Sequence, residues 1–327
     1  MSVHPRPDGR FEQFCVVGLG NHARTKLLPA LAANGQLVAG LVTRGDRQGL
    51  PDAPIFPDVE TALEELPART VFVIATPPAL HFAQALPIIR AGRDVIVEKP
   101  AFASRGETVE AVEEASRSGS VLVEAFMHRH TRLYSELVDA YRNDSSITGL
   151  RAEFIVPEMP TSGTFRAAPD IACSSLYDMG CYPLSLLSDL GLPLDRLGVT
   201  DVDHAGDPGR EAVRIAGPAA GIEVEIRIGV GATYSNSVSI RSPAGRSVSF
   251  EPFFFGRPGE RRMVISTASS VSERKIPENV AFEAMLAVTR PVWLADQGAR
   301  LGRMIDVATT LERLGGALAT FRKNGAL

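Results

Sequence analysis

Phe14-Cys15-Val16-Val17-Gly18-Leu19-Gly20-Asn21-His22-Ala23 is the stretch on which the fold of this 327-residue chain turns. Four apolar residues in a row, ended by glycine, fit a short strand buried on both faces. Gly18, Gly20 and Ala23 then follow the pattern G-x-G-x-x-G/A, and Leu27, Leu28 and Leu31 fall at helical spacings. The first glycine permits a tight turn, the second lets backbone approach a pyrophosphate, and the small third residue lets helix and strand pack closely. A helix starting near Asn21 and His22 offers phosphates its unbonded N–H groups and a partial positive charge. Alone, such a loop is equally an ordinary turn, and its meaning depends on a βαβ setting.

The following residues supply that setting. Apolar, β-prone runs recur at 37–42, 71–75, 95–97 and 121–123, with helix-like stretches at 61–66, 81–90 and 105–118 between them. Strands alternating with helices in this way pair in parallel, because a crossover helix joins parallel neighbours. Residues 1–126 are therefore expected to form a doubly wound α/β dinucleotide-binding domain behind a polar tail. Residues 127–327 read as a second domain. There Ile222, Val224, Ile226 and Ile228 alternate with Glu223, Glu225 and Arg227. Such alternation marks an antiparallel sheet with one face open to solvent or to a partner. Further short strands are expected at 150–156, 232–240, 247–251 and 263–266, and an amphipathic helix over 299–317 is placed to pack back on the first domain.

Composition narrows the class. At about 150 residues per domain the length suggests two domains. Lys plus Arg number 34 against 38 Asp plus Glu, a net charge of −4, which argues against a general nucleic-acid binder. No apolar stretch approaches the roughly 20 residues of a membrane helix, and the first residues lack a signal-peptide core. Cys15, Cys173 and Cys181 are too scattered for a disulfide framework or a zinc site. His128 and His130 do not share a helical face, so no metal is expected. A cytoplasmic protein without membrane or nucleic-acid partners is the expectation.

The end of the second strand carries the reader of the cofactor ribose. Here it runs into Thr43-Arg44-Gly45-Asp46-Arg47. A hydroxyl and a guanidinium suit a 2′-phosphate, which arginine can hold bidentately, so NADP(H) is expected ahead of NAD(H). Both arginines read equally as surface cations, and Asp46 could still reach a ribose hydroxyl. Glu98-Lys99-Pro100 closes the fourth apolar run, at the strand edge where open α/β sheets bind ligands. An ammonium there can polarise a carbonyl or lower the pKa of a neighbouring acid; the bland reading is a solvated loop lysine.

Taken together, the glycine loop, Ala75-Thr76-Pro77-Pro78 with His81, Glu98-Lys99-Pro100, Glu124-Ala125-Phe126-Met127-His128-Arg129 and Leu176-Tyr177-Asp178-Met179-Gly180-Cys181-Tyr182-Pro183 resemble the family of glucose-fructose oxidoreductase, inositol dehydrogenase and rhizopine catabolism proteins (Gfo/Idh/MocA). The resemblance implies a Rossmann domain followed by an α/β domain with a large, mostly antiparallel open sheet, through which members commonly form homodimers or homotetramers. It implies Lys99 as the catalytic lysine, Asp178 as the residue orienting substrate and Tyr182 as the acid/base. Gly18, Gly20, Asn21, His22, Ala23, Thr43, Arg44, Ala75, Thr76, Pro77, His81, Glu98 and Lys99 are expected around the cofactor. Lys99, Arg129, Arg166, Asp178 and Tyr182 are expected around the substrate. Chemistry supports the pairing, since hydride transfer to or from a secondary alcohol also moves a proton. A tyrosine with its ordinary pKa near 10 needs a nearby cation for that role. On the residues alone, Tyr182 reads as a buried ring with one hydrogen bond and Asp178 as a helix cap. The family more often has a tyrosine at His128, and a run of glycines where this chain has Ala172-Cys173-Ser174-Ser175.

The function implied is an NADP(H)-dependent oxidoreductase acting on a sugar, a nucleotide-linked keto-sugar or a polyol. A silent regulator that senses cofactor or sugar is the alternative, and an NAD-dependent glycosidase a third.

Overall fold

The computed structural model describes residues 11, 13–45, 48–158, 174–205, 207 and 210–324. Six parallel strands stand in the order β3-β2-β1-β4-β5-β6, built from β1 (Gln13–Val17), β2 (Leu37–Val42), β3 (Ile55–Phe56), β4 (Val71–Ile74), β5 (Val95–Val97) and β6 (Leu122–Glu124). This order reverses direction between β1 and β4, the switch point at which doubly wound sheets bind ligands. β4, β5 and β6 are short and buried on both faces, as their unbroken apolar runs require, and β1 nearly so, whereas β2 is buried only from Gly40 onward and begins at exposed Leu37.

The helices are set by local chemistry. A π turn (Ala23–Leu27) leads into α1 (Leu28–Ala33). The Asp58 carboxylate accepts the Thr61 N–H at the start of α2 (Val59–Glu65), and Ser104 accepts the Glu107 N–H at the start of α4 (Arg105–Ser118). Each satisfies one of the orphan donors of a helix N-terminus. α4 stops at Gly119 in the left-handed conformation, and α3 (His81–Arg90) follows β4.

The chain divides into two units. The first comprises residues 1–126 and 282–305, the second 127–281 and 306–327. Within the first, α8 (Ala281–Leu286), α9 (Arg290–Ala295) and the start of α10 (Gln297–Asn324) supplement the Rossmann core: Leu301 and Met304 pack into the cluster of Phe72, Ile74, Val95 and Leu122. α10 is longer at both ends than its amphipathic pattern indicates.

The second unit is built on eight strands in the order β14-β13-β12-β11-β7-β10-β9-β8. They are β7 (Gly149–Val156), β8 (Gly198–Asp203), β9 (Ala212–Ala219), β10 (Ile222–Val230), β11 (Ser235–Arg241), β12 (Ser247–Glu251), β13 (Gly259–Ser266) and β14 (Val271–Glu278). All neighbours are antiparallel except β7 and β10, which run parallel. Ala220 and Gly221, both with positive φ, make the tight turn between β9 and β10, the turn chemistry hairpins favour. Ile222, Val224, Ile226 and Ile228 are buried while Glu223 and Glu225 are exposed. The polar face carries ion pairs such as Arg151–Glu153 (2.6 Å) and Arg227–Asp203 (3.6 Å).

α5 (Arg132–Arg142) packs near β14, and the Glu278 carboxylate accepts the N–H groups of Arg132 and Leu133 at its start. α6 (Ser175–Asp178) and α7 (Cys181–Asp189) meet at Gly180. A Cβ on Gly180 would stand 2.4 Å from the Leu176 carbonyl oxygen and 3.0 Å from Ile228 Cδ1. Glycine thus lets the α6–α7 corner lie directly on the apolar face of β10.

Candidate active site

In the first unit the carboxyl ends of β1, β4 and β5 carry the predicted residues. Gly18 has φ +86 and donates its N–H to the Val42 carbonyl (3.0 Å). An added Cβ would stand 2.5 Å from Thr76 Cγ2, so the turn has no room for a side chain. Gly20 differs, because a Cβ there would meet nothing within 4 Å. Gly20, Asn21 and His22 are exposed, and Ala23 is fully buried beneath them. Open space above exposed backbone at a helix N-terminus fits a pyrophosphate. At the end of β2, Thr43 Oγ1 accepts the Gly45 N–H (3.0 Å), folding a turn that leaves Arg44 exposed. Asp46 and Arg47 lie outside the described residues.

Two histidines tie these loops together. His22 Nε2 lies 2.8 Å from Glu98 Oε1, and the His22 ring packs edge-on to Phe282 at 5.2 Å. The other Glu98 oxygen accepts the Lys99 N–H (3.3 Å). The glycine loop is thereby joined to the backbone that presents Lys99. His81 is buried, with Nε2 2.8 Å from the Thr76 carbonyl oxygen and Nδ1 3.1 Å from those of Pro100 and Ala101. Burial pushes its pKa down, opposed by those backbone contacts and by Glu98. Both ring nitrogens face the chain's own carbonyls, so His81 acts as a tie between two loops. Thr76 Oγ1 donates to Gln84 (2.6 Å), and the Ala75 N–H to Val17 (2.8 Å), which fixes Ala75-Thr76-Pro77 beside Gly18.

In the second unit Tyr182 sits on the first turn of α7, with its ring 5.3 Å from that of His128, 5.5 Å from Phe154 and 5.7 Å from Phe254. His128 is enclosed further by Tyr134 and Phe253. Burial, reinforced by Arg129 and His130, holds the His128 pKa well below its ordinary value, and burial takes His130 down to about 4. Both rings are neutral at physiological pH. Asp178 is buried at the end of α6. The N-cap position of α7 is Gly180, two residues further on. Arg129 is held bidentately by Asp189, Nε at 2.7 Å and Nη2 at 3.1 Å, and Tyr134 donates its hydroxyl to the same carboxylate (2.8 Å). This pair ties Arg129 to the end of α7. Arg166, Ala172 and Cys173 lie outside the described residues; Ser174 and Ser175 are buried. Among the described residues no three His, Cys, Asp or Glu side chains group to hold a metal, and no helix is long and apolar enough to cross a membrane.

Sequence reasoning missed the His22–Glu98 contact, the use of Asp189 by Arg129, and the aromatic wall around Tyr182. Phe253-Phe254-Phe255 was a visible signal for the last of these. Nothing in the sequence foretold the first two, which join residues 76 and 60 positions apart.

Residues 13–126 match the model of an oxidoreductase family with an NAD-binding Rossmann fold, Gfo/Idh/MocA. A dTDP-3,4-didehydro-2,6-dideoxy-alpha-D-glucose 3-reductase from Streptomyces violaceoruber is 27% identical over 299 residues, 87% of this chain and 86% of that protein. A D-xylose 1-dehydrogenase (NADP(+)) from Haloferax volcanii is 26% identical over 200 residues, 58% of this chain and 60% of that protein. Among solved structures, a 3-ketoreductase from Actinomadura kijaniata in complex with NADP and TDP-benzene superposes with a TM-score of 0.77 at 19% identity, covering 94% of this chain and 97% of that one. An aldose-aldose oxidoreductase from Caulobacter crescentus gives 0.78 at 17% identity, covering 96% and 99%. The match to the Gfo/Idh/MocA oxidoreductase family thus covers the Rossmann domain at residues 13–126.

Proposed function

We propose that the chain is an NADP(H)-dependent oxidoreductase that interconverts a keto group and a secondary alcohol on a nucleotide-linked sugar. The observation that carries the reading is the His22–Glu98 contact at 2.8 Å, which sets the backbone of Lys99 beside the glycine loop. Relatives at 26–27% identity that reduce a dTDP-linked dideoxy keto-sugar support the substrate class. The exposed Arg44, at the end of β2 where a 2′-phosphate would be read, supports NADP(H).

The exposed N-terminus at Gly20, Asn21 and His22 would hold the diphosphate of NADP(H), and Arg44 with Thr43 its ribose phosphate; the cofactor, when bound, would supply or take up the hydride. Tyr182 exchanges the proton with the sugar oxygen, and the Lys99 ammonium stabilises the phenolate form and the developing oxyanion. Asp178 orients the sugar by accepting a hydroxyl hydrogen. His128 stays neutral and is therefore no competing cation beside the Tyr182 ring.

Fluorescence titration with NADPH and NADH, followed by oxidation of bound NADPH on adding a dTDP-linked keto-sugar, tests the reading. Tighter NADPH binding and turnover are expected. Preference for NADH would remove Arg44 as the phosphate reader. Absence of binding by either form would make the chain a regulator of the same fold.

A further inference from the structure

The loop joining β12 to β13 is braced from within. Buried Asn236 accepts the N–H groups of Phe253 (3.0 Å) and Phe254 (2.7 Å) and donates to the Phe254 carbonyl (3.2 Å). From β13, buried Arg261 donates to the Arg257 carbonyl across the same loop. So fixed, the loop holds two guanidiniums against one ring, with Arg257 5.6 Å and Arg261 5.1 Å from the Phe255 centroid. Among the described residues neither arginine forms an ion pair. Glu278 and Tyr234 are the acidic groups that bear on Arg261, and Glu278 is already committed to the start of α5. Burial holds the Arg261 guanidinium below its ordinary value, so this cation lacks both water and a dedicated counter-ion. Tyr234, just before β11, is 47% exposed. Asn236 Nδ2 donates to its hydroxyl (3.2 Å), which anchors the ring to the same brace.

Two like charges gathered on one ring repel, and an anion beside them relieves that cost. Phosphate suits guanidinium best, because two charge-assisted hydrogen bonds can form at once. An exposed phenol ring anchored next to them offers a face on which a planar base can stack. The cluster also adjoins the proposed chemistry: Phe254, one residue from Phe255, packs on the ring of Tyr182.

We propose that Arg257, Arg261 and Tyr234 form the nucleoside diphosphate subsite of the sugar substrate, with exposed Arg257 on the diphosphate, the buried Arg261 cation adding its charge from behind, and Tyr234 under the base. Phe255 spaces the two cations. The assignment rests on the reading that the substrate is a nucleotide-linked sugar.

The test is calorimetric titration of the full chain, saturated with NADP+, by thymidine diphosphate and by inorganic pyrophosphate. The native chain is expected to bind the nucleotide. Arg257→Ala, an exposed substitution, should weaken both probes by at least tenfold. Tyr234→Ala should weaken the nucleotide several-fold and leave pyrophosphate unchanged. Cofactor affinity should be the same in all three proteins. Nucleotide affinity unaffected by Arg257→Ala overturns the subsite, and turnover of the dTDP-linked keto-sugar would still stand by itself. A protein that oxidises NADPH with free keto-sugars but binds no thymidine diphosphate overturns both the subsite and the substrate class. Nucleotide binding with the expected Arg257 dependence, in a chain that binds no NADP(H), keeps the subsite and overturns the redox reading.

Discussion

Replacing Gly18 and Gly20 separately by alanine should divide folding from cofactor binding. At Gly18 the left-handed backbone alone costs an L-residue about 1–2 kcal/mol. The new methyl would stand 2.5 Å from Thr76 Cγ2 and 2.8 Å from Thr76 N. Neither can retreat, because the Thr76 carbonyl is held by His81 and the Ala75 N–H by Val17. Overpacking of this kind costs about 1–3 kcal/mol more, giving about 2–5 kcal/mol in all, a large share of the 5–15 kcal/mol typical of a whole domain. Gly20→Ala meets nothing within 4 Å and should leave stability unchanged to within about 0.5 kcal/mol, while placing a methyl where the diphosphate is expected. The chain's one tryptophan, Trp293, is buried in the first unit, so its fluorescence during urea unfolding reports on the unit concerned. A Gly18→Ala midpoint equal to that of the native protein would refute the steric argument, and a Gly20→Ala protein with unchanged NADPH affinity would refute the placement of the diphosphate.

Glu211 is fully buried and held bidentately by Arg322 at 2.8 and 2.6 Å, so Arg322→Ala should cost about 3–5 kcal/mol in denaturant unfolding, where a loss below about 1 kcal/mol contradicts it. His130 stays neutral in the folded chain down to pH about 4 but titrates near 6.5 when unfolded. Acidification from pH 7 to 5 should therefore protonate the unfolded chain first and lower stability by about 2 kcal/mol, with His128 acting in the same direction; a flat profile across that range counts against both. Lys99→Met should bind NADPH as the native protein does and lose about 10²–10⁴ in kcat, and full turnover in stopped-flow would dismiss it as a proton-handling partner. His22→Leu removes the partner of Glu98 and should weaken NADPH about tenfold, with His22→Gln, which keeps a donor, recovering most of it in the same titration.

The parallel sheet was legible because its strands announce themselves by uninterrupted apolar runs, and Gly18 by a turn that only glycine satisfies. β10 was equally plain from its alternation. β14 left no such trace, since Val271 to Lys275 are all exposed on an edge, and β3 is two residues long. β9 contains Gly217 and Pro218, which read as a break. At the site, residue types in local motifs were readable, whereas their partners were not. His81 spends its nitrogens on carbonyls of two loops, and Arg129 its guanidinium on Asp189, through contacts that form only when distant segments meet.

The single parallel pairing in the second sheet has a wider consequence. β7 and β10 cannot be joined by a hairpin, so the chain must leave the sheet and return, and on that excursion it carries Asp178, Tyr182 and the α6–α7 corner. β7 already has a neighbour on each side, β11 and β10, so α6 and α7 add nothing to its ladder and meet the sheet through side-chain packing, Gly180 seated on Ile228 among it. The α6–α7 corner, inserted between β7 and β8, is therefore held by the packing of its buried residues, 174–187, and not by the ladder, so a change there is felt in the core before it is felt in the register.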